Sequence, residues 1–210
     1  GGARYNTSYI QGVGLGSVSD SMTSIKLNVF ERKIVGLDEL AAALKADFKG
    51  YDELRRIMLD ETPKYGNDDD YADDIMRMIF DDYFAAVDGR PNYKGGAFRI
   101  NMLPTTCHVY FGRMTGALPD GRRAGTPLSE GISPVQGADR EGPTAVLKSA
   151  AKFDHLKTGG TLLNQKFTPA LLGDEEGIAG VRGLIRAYFG MMGHHIQFNV
   201  VSADTLRKAQ

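Results

Sequence analysis

The stretch that most constrains the fold lies near the middle of the chain, at residues 105–111. Its apolar, β-branched and aromatic residues predict a buried strand. Downstream, Pro119-Asp120-Gly121 indicates a tight turn, because proline presets φ and glycine accepts positive φ. A buried strand that carries threonine, cysteine, histidine and tyrosine is a suitable wall for a pocket. We therefore expect a binding pocket around residues 99–110.

Apolar residues with helical spacing predict helices on both sides of this stretch. The predicted helices cover residues 17–30, 37–50, 51–62, 70–87, 144–155 and 178–188. Ser17 is predicted to cap the first of them, and Ser202 caps a further helix at the end of the chain. Strands are predicted at 97–103 and 195–201, and 161–167 is either a strand or an extended loop. Residues 124–143 contain glycine and proline at short intervals, which indicates a long ordered loop. Long helices between separated strands argue for the α/β class, and no linker divides residues 1–210.

Composition excludes several classes of protein. The net charge of −1 leaves no basic footprint for nucleic acid or an anionic membrane. Cys107 is the single cysteine, so an internal disulfide and a cysteine-based zinc site are excluded. No apolar run approaches the ~20 residues that span a bilayer, and the first residues do not resemble a signal peptide. We expect a cytoplasmic protein. Because the chain lacks an initial Met and its last segment looks interrupted, we also expect a piece of a larger protein.

Two motifs suggest ligand binding but are better explained as structure. The glycines of residues 12–16 could present backbone N–H groups to a phosphate, but Ser17 stands where the dinucleotide fingerprint needs glycine. The acidic run at residues 68–70 could offer oxygen ligands to calcium. It lacks the alternating acids, central glycine and distal glutamate of a calcium loop, so it favours a helix N-terminus. We therefore predict no metal site.

The residues reveal no complete catalytic constellation. Cys107 and His108 are adjacent, and adjacent side chains of a strand point to opposite faces, so they cannot act as a nucleophile and its base. The same argument opposes joint metal binding by His194 and His195. If this is an enzyme, its reactive groups lie elsewhere.

The chain resembles the C-terminal half of glycyl radical enzymes, most closely the pyruvate formate-lyase-like and diol dehydratase branch. The resemblance covers essentially the whole chain. It rests on Gly2-Ala-Arg-Tyr-Asn6, Gln11-Gly-Val-Gly14, Lys64-Tyr-Gly-Asn-Asp68, Leu103-Pro-Thr-Thr106, His108-Val-Tyr-Phe-Gly112, Gly116-Ala-Leu-Pro-Asp-Gly-Arg122, Pro127-Leu-Ser-Glu-Gly-Ile-Ser-Pro134 and Leu162-Leu-Asn-Gln-Lys166.

This resemblance implies part of a ten-stranded α/β barrel surrounded by helices, with residues 1–210 forming the C-terminal portion of that barrel domain. In the family, a radical-SAM activating enzyme installs a glycyl radical, which converts a cysteine into a thiyl that abstracts hydrogen from the substrate. Neither the Gly-Cys-Val-Glu motif nor the radical-glycine motif occurs in these residues. We therefore expect no catalytic residue here, with the cysteine before Gly1 and the radical glycine beyond Gln210.

What the chain can contribute, by the same resemblance, is a wall of the substrate pocket. We expect Thr105 to donate a hydrogen bond to substrate, with Arg99 and Met102 nearby. Arg99 could equally be a structural, salt-bridged arginine. If it points inward an anionic substrate is favoured, and if it points outward a neutral diol is favoured. Tyr5, Asn6 and Gln11 are further candidates to face the barrel interior.

The function implied is that of a lyase or dehydratase. It would eliminate water or another leaving group from a small polar substrate of the glycerol or propanediol, hydroxyproline, isethionate or choline type. Two alternatives are carbon–carbon cleavage by a formate acetyltransferase and a non-catalytic α/β module. The expected partners are a small-molecule substrate, the activating enzyme and a second copy in a homodimer, with no nucleic acid and no membrane.

Overall fold

The computed structural model describes residues 7–209. Within this range there are eight α-helices and four strands. The helices are α1 (Leu15–Ser24), α2 (Leu37–Lys45), α3 (Asp52–Arg56), α4 (Asp70–Val87), α5 (Cys107–Met114), α6 (Pro143–Ala150), α7 (Glu175–Gly190) and α8 (Ala203–Lys208). Two of them continue as π-helical turns, α1 at Ile25–Glu31 and α3 at Ile57–Glu61. Single 3₁₀ turns lie at His155–Lys157 and Pro169–Leu172.

The four strands run parallel. Strand β1 (Ser8–Gln11) pairs with β2 (Phe98–Asn101), and β3 (Leu162–Phe167) pairs with β4 (His195–Val200). A parallel bridge between Met102 and Thr161 joins the two pairs, so the strands lie in the order β1-β2-β3-β4. Parallel neighbours need a crossover on one side of the sheet, and the helices between the strands provide it.

The helices cover one face of these strands. Buried side chains of α4, α6 and α7 pack there against β2 and β3. The cluster includes Met76, Phe80, Val146, Leu147, Tyr188, Ile100, Met102 and Leu163. A second, smaller cluster joins α2 to the chain around α3. No helix within residues 7–209 is long and apolar enough to cross a membrane.

Residues 128–134, which we call the gap loop, fill the space where β2 and β3 separate beyond the bridge. The Ile132 amide donates to the Leu162 carbonyl at 2.9 Å, and the Tyr65 hydroxyl donates to the Ile132 carbonyl at 2.8 Å. Gly131 has a φ of 52°, and a Cβ there would overlap the Leu162 carbonyl oxygen. The loop therefore lies against the strand so closely that only glycine fits at this position.

The strand prediction for residues 105–111 is wrong, because most of this stretch forms α5. Its buried positions are His108 and Gly112, which are one helical turn apart. A Cβ on Gly112 would overlap the Thr126 carbonyl, so α5 lies directly on the loop that follows it. Contact with this loop overrides the strand preference of the aromatic and β-branched side chains.

The predicted cap at Ser17 is also wrong. Helix α1 begins at Leu15, after Gly14 with a φ of 81°. Ser17 instead forms a reciprocal pair with Ser129 of the gap loop, in which each amide donates to the other hydroxyl at 3.0 and 2.9 Å.

Most other predicted elements are confirmed, including a strand at 162–167 and the ordered loop after residue 124. The acidic run before α4 acts as expected, with Asp69 accepting the Tyr71 amide at 2.9 Å. Ser202 caps α8 by accepting the Thr205 amide at 3.0 Å.

Candidate substrate-binding wall

The face of the sheet that the helices do not cover is polar. Since successive side chains of a strand alternate between faces, the residues next to buried Ile100 and Leu163 point away from the core. This uncovered face carries Tyr9 and Gln11 of β1, Arg99 and Asn101 of β2, Asn164 and Lys166 of β3, and His195, Gln197 and Asn199 of β4, with Leu162 of β3 as its apolar member. We call it the polar face.

Carboxamide groups form a chain across β3 and β4. Asn199 donates to Asn164 Oδ1 at 3.3 Å, and Gln197 donates to Asn199 Oδ1 at 3.1 Å. On β2, Asn101 Oδ1 is buried and has no hydrogen-bond partner among residues 7–209. Amides of this kind offer donors and acceptors within a small area, which suits a ligand that carries both.

The loop that follows β2 is held against β1. The Leu103 amide donates to Gln11 Oε1 at 3.0 Å. Gln11, one of the candidates for the barrel interior, lies on the polar face. The other two candidates of this kind, Tyr5 and Asn6, lie outside the described residues.

Thr105 lies in a turn just beyond β2, at the carboxyl end of the parallel strands. It is exposed and has a φ of 51°. A left-handed conformation is unusual for a β-branched residue and typically marks a position held by its surroundings. The carboxyl ends of parallel strands are also where ligand sites in α/β folds usually lie.

Arg99 lies on the polar face, half exposed, and forms an ion pair with Asp88 in which Nη1 is 2.7 Å from Oδ2. Asp88 and Tyr9 line a cavity of about 320 Å³ with it. The hydrogen bond to Asp88 raises the pKa of Arg99 above its usual value. This geometry matches the structural, salt-bridged arginine that the sequence left open as one of two possibilities.

Met102 is fully buried in the core, on the helix side of the sheet. Gly12, which directly follows β1, passes so close that a Cβ there would be 2.5 Å from the Met102 sulfur. The structure thus brings Arg99 and Thr105 to the exposed side of the strands and places Met102 behind them.

Sequence reasoning missed three residues at the carboxyl end of the polar face. His108 Nδ1 lies 3.1 Å from the Thr105 carbonyl oxygen, and His108 Nε2 lies 3.7 Å from Glu130 Oε2. Glu130 Oε1 lies 3.8 Å from Lys166 Nζ, beside a cavity of about 470 Å³. Their one sequence signal was membership of the segments that resemble the family, because the predicted strand left open which face His108 points to.

A buried ionic group lies away from the polar face. Asp20 is 1% exposed, and burial raises its pKa to about 7, against the opposing attraction of Lys64 and the Tyr65 amide. Lys64 donates to the Asp120 carbonyl at 3.0 Å. Burial lowers the pKa of Lys64 and raises that of Asp120. The group joins α1, the chain before α4 and the turn at Asp120.

Comparison with known protein families assigns the chain to one of them. A model described as Pyruvate formate lyase-like matches residues 1–112, and a model described as Glycine radical matches residues 128–210. The chain belongs to the pyruvate formate lyase-like family of glycyl radical enzymes. The resemblance found in the sequence is therefore confirmed.

Individual relatives of this family are similar along the whole chain. Trans-4-hydroxy-L-proline dehydratase from Clostridioides difficile is 57% identical over 210 residues, which cover 100% of this chain and 27% of that protein. Isethionate sulfite-lyase from Bilophila wadsworthia (strain 3_1_6) is 41% identical over 210 residues, which cover 98% and 25%. The chain spans about 27% of the length of the first of these relatives.

Solved structures agree with this assignment. Hydroxyproline dehydratase from Clostridioides difficile, with trans-4-hydroxy-L-proline bound, superimposes with a TM-score of 0.96 over 100% of this chain and 27% of that one, at 57% identity. The glycerol-bound, B12-independent glycerol dehydratase from Clostridium butyricum gives a TM-score of 0.94 at 42% identity, with the same coverage. The prediction of an α/β chain that forms part of the glycyl radical enzyme barrel is confirmed.

Proposed function

We propose that the complete protein is a glycyl radical lyase that eliminates water from a small hydroxylated substrate, and that residues 7–209 supply one wall of its substrate pocket. One observation carries this proposal. The uncovered face of four parallel strands bears a set of carboxamides and charged groups, and it ends at the exposed turn of Thr105. Parallel sheets usually have both faces buried under apolar packing, so a polar, hydrogen-bonded face on parallel strands supports a ligand site there.

Trans-4-hydroxy-L-proline is the first substrate to test. A relative that is 57% identical is named for its dehydration, and such a molecule has a carboxylate, an ammonium and a hydroxyl group. The polar face offers partners for the two charged groups. The exposed ammonium of Lys166 suits the carboxylate, since its long 3.8 Å contact with Glu130 leaves its donors available. The carboxamide oxygens of Asn164 and Asn199 each accept one hydrogen bond and have a second lone pair for the ammonium. Because Asp88 already neutralises Arg99, we assign Arg99 to shaping the wall rather than to binding the carboxylate.

We assign each predicted wall residue a distinct task. The Thr105 hydroxyl donates a hydrogen bond to the substrate, and its exposed position beyond β2 supports this. Met102 holds the end of β2 in position from the core side of the sheet, since its side chain is buried against Gly12. The radical, once installed, supplies hydrogen-atom abstraction, and the residues of this chain bind and orient the substrate.

The proposal includes the partners that such chemistry needs. They are a radical-SAM activating enzyme, which installs the radical on a glycine outside residues 1–210, and a second copy of the protein in a homodimer, in the cytoplasm. Formate acetyltransferase activity remains the alternative, but no contact among residues 7–209 favours it.

The test uses the complete protein, activated anaerobically, with the glycyl radical measured by electron paramagnetic resonance. We expect trans-4-hydroxy-L-proline to yield a product lighter by one water in mass spectrometry. Thr105→Val preserves shape and backbone strain but removes the hydroxyl, so kcat/KM should fall by about tenfold, the value of one hydrogen bond. Thr106→Val is the matched control and should change little. A radical-bearing enzyme that dehydrates no hydroxylated substrate would exclude the proposed function.

A further inference from the structure

His108 occupies a position that the proposed function does not explain. It lies in the first turn of α5, is 7% exposed, and directs Nδ1 at the carbonyl oxygen of Thr105 at 3.1 Å. A carbonyl oxygen can only accept, so Nδ1 carries the proton and donates it. The ring thus binds the backbone of the residue assigned to contact substrate.

Thr105 needs such support. A φ of 51° is a left-handed conformation, which is unfavourable for a β-branched side chain, and residues of this kind are held in place by their surroundings. The Cys107 amide donates to the Pro104 carbonyl at 3.0 Å and closes the turn around Thr105. The His108 ring then fixes the direction of the carbonyl group of Thr105 itself.

The far side of the ring faces Glu130. Nε2 lies 3.7 Å from Glu130, and Glu130 lies 3.8 Å from Lys166 of β3. Glu130 belongs to the gap loop, which is anchored to α5 by the Leu128 amide donating to the His108 carbonyl at 3.1 Å. The imidazole therefore connects the turn after β2 to the gap loop and, through it, to β3.

We propose that His108 is a positioning residue that fixes the turn of Thr105 against the substrate, with Glu130 and Lys166 fixing His108 in turn. Its effect on catalysis rests on the proposed function, in which Thr105 contacts the substrate. Its effect on the turn rests only on the hydrogen bond to the Thr105 carbonyl and on the contact between Glu130 and the far side of the ring.

The two ring nitrogens can be separated by substitution in the complete, activated enzyme. The amide of His108→Asn can place a donor near Nδ1 but does not reach Glu130. The amide of His108→Gln extends toward Nε2 and leaves the Thr105 carbonyl without its partner. We expect KM to rise about tenfold in His108→Gln with a smaller change in kcat, because a displaced Thr105 loses its contact already in the bound substrate. His108→Asn should stay within about threefold of the wild type.

Hydrogen exchange measured by mass spectrometry gives a readout that needs no turnover. In His108→Gln the amides of residues 103–108 should exchange about tenfold faster than in the wild type, which corresponds to one lost hydrogen bond. His108→Asn should restore slow exchange. If Asn and Gln behave alike in both exchange and KM, the proposal is overturned.

A second variant covers the case in which His108→Gln does not fold. Glu130→Gln keeps the Thr105 bond but removes the charge behind the ring, so exchange at 103–108 and KM should both rise a few-fold. Wild-type values for both quantities would overturn the proposal. An enzyme that carries the radical but turns over no substrate would defeat the proposed function alone, and the exchange experiment would still decide the role of His108.

Discussion

Substitution of Arg122 provides the strongest test of what stabilises α5 and the loop that follows it. It is 6% exposed, and its guanidinium donates to backbone carbonyls at the end of α5 and in the loop that leads to Glu130. The acceptors are Gly112 at 2.6 Å, Gly116 at 2.7 Å, Thr126 at short range, Pro127 at 3.3 Å and Thr115 at 3.4 Å. A single cation thus terminates the helix that carries His108 and anchors the loop that carries Glu130.

Arg122→Met keeps the aliphatic stem and removes all five donors. A hydrogen bond from a charged group contributes about 1.5–3 kcal/mol, and the three short bonds together give about 5 kcal/mol. Water that reaches the freed carbonyls offsets part of this loss. We expect the segment 107–131 to lose about 4 kcal/mol of local stability, or about a 10³-fold increase in its opening.

The assay is hydrogen exchange of the complete protein, resolved by peptide, and the matched control is the neighbouring arginine. Arg123→Met removes a guanidinium whose side chain is 36% exposed, whose ion pairs to Asp47 and Asp52 measure 3.7 and 3.8 Å, and which donates one short hydrogen bond to the Asp47 carbonyl at 2.6 Å. One such bond and two exposed ion pairs contribute about 1–2 kcal/mol, so exchange should change by about tenfold, against about 10³-fold in Arg122→Met. Equal effects of the two substitutions, or an Arg122→Met protein that exchanges like the wild type at 107–131, would refute this reasoning.

The remaining predictions concern the buried carboxyl of Asp20 and the gap loop. Burial raises the pKa of Asp20 from 3.8 to about 7, so the native state binds this proton more tightly than the unfolded chain does. Protonated Asp20 therefore stabilises the native state fully below about pH 4. This stabilisation, on the order of 4 kcal/mol, is lost as the pH rises from about 4 to about 7. In urea unfolding, the free energy of unfolding of Asp20→Asn should therefore rise relative to that of the wild type as the pH increases across this range. The same pH dependence in both proteins would contradict the assignment. Gly131→Ala should destabilise the protein by clearly more than the ~1–2 kcal/mol of left-handed strain, because its Cβ also overlaps the Leu162 carbonyl. Gly137→Ala, at a φ of 81° in open space, should show the strain alone, and equal melting temperatures for the two variants would argue against close packing of the loop.

Local signals in the sequence predicted the elements whose ends are set by neighbouring residues. The acidic start of α4 and the serine cap of α8 act on amides two or three residues away, so the pattern and the structure agree. The same reasoning failed at Ser17. Its hydroxyl accepts from the amide of Ser129, which is distant in the sequence, instead of capping the helix.

The site itself was predicted only in outline. The candidates Arg99 and Thr105 reach the exposed side of the strands. The carboxamide chain through Asn164 and Asn199 was not expected, because it depends on the parallel register of β3 and β4. His108 was misjudged because residues 105–111 have the composition of a strand, whereas most of them form a helix.

By itself, the sequence determined the α/β class, the order of most helices and strands, and the family to which the chain belongs. These properties follow from periodicity, capping residues and dense short motifs, all of which act over a few positions. Only the tertiary structure decided that α5 is a helix, that Arg122 terminates it, and that His108, Glu130 and Lys166 meet beside Thr105. Each of these depends on contacts between distant parts of the chain, whose close approach outweighs the weak local preferences of the residues involved.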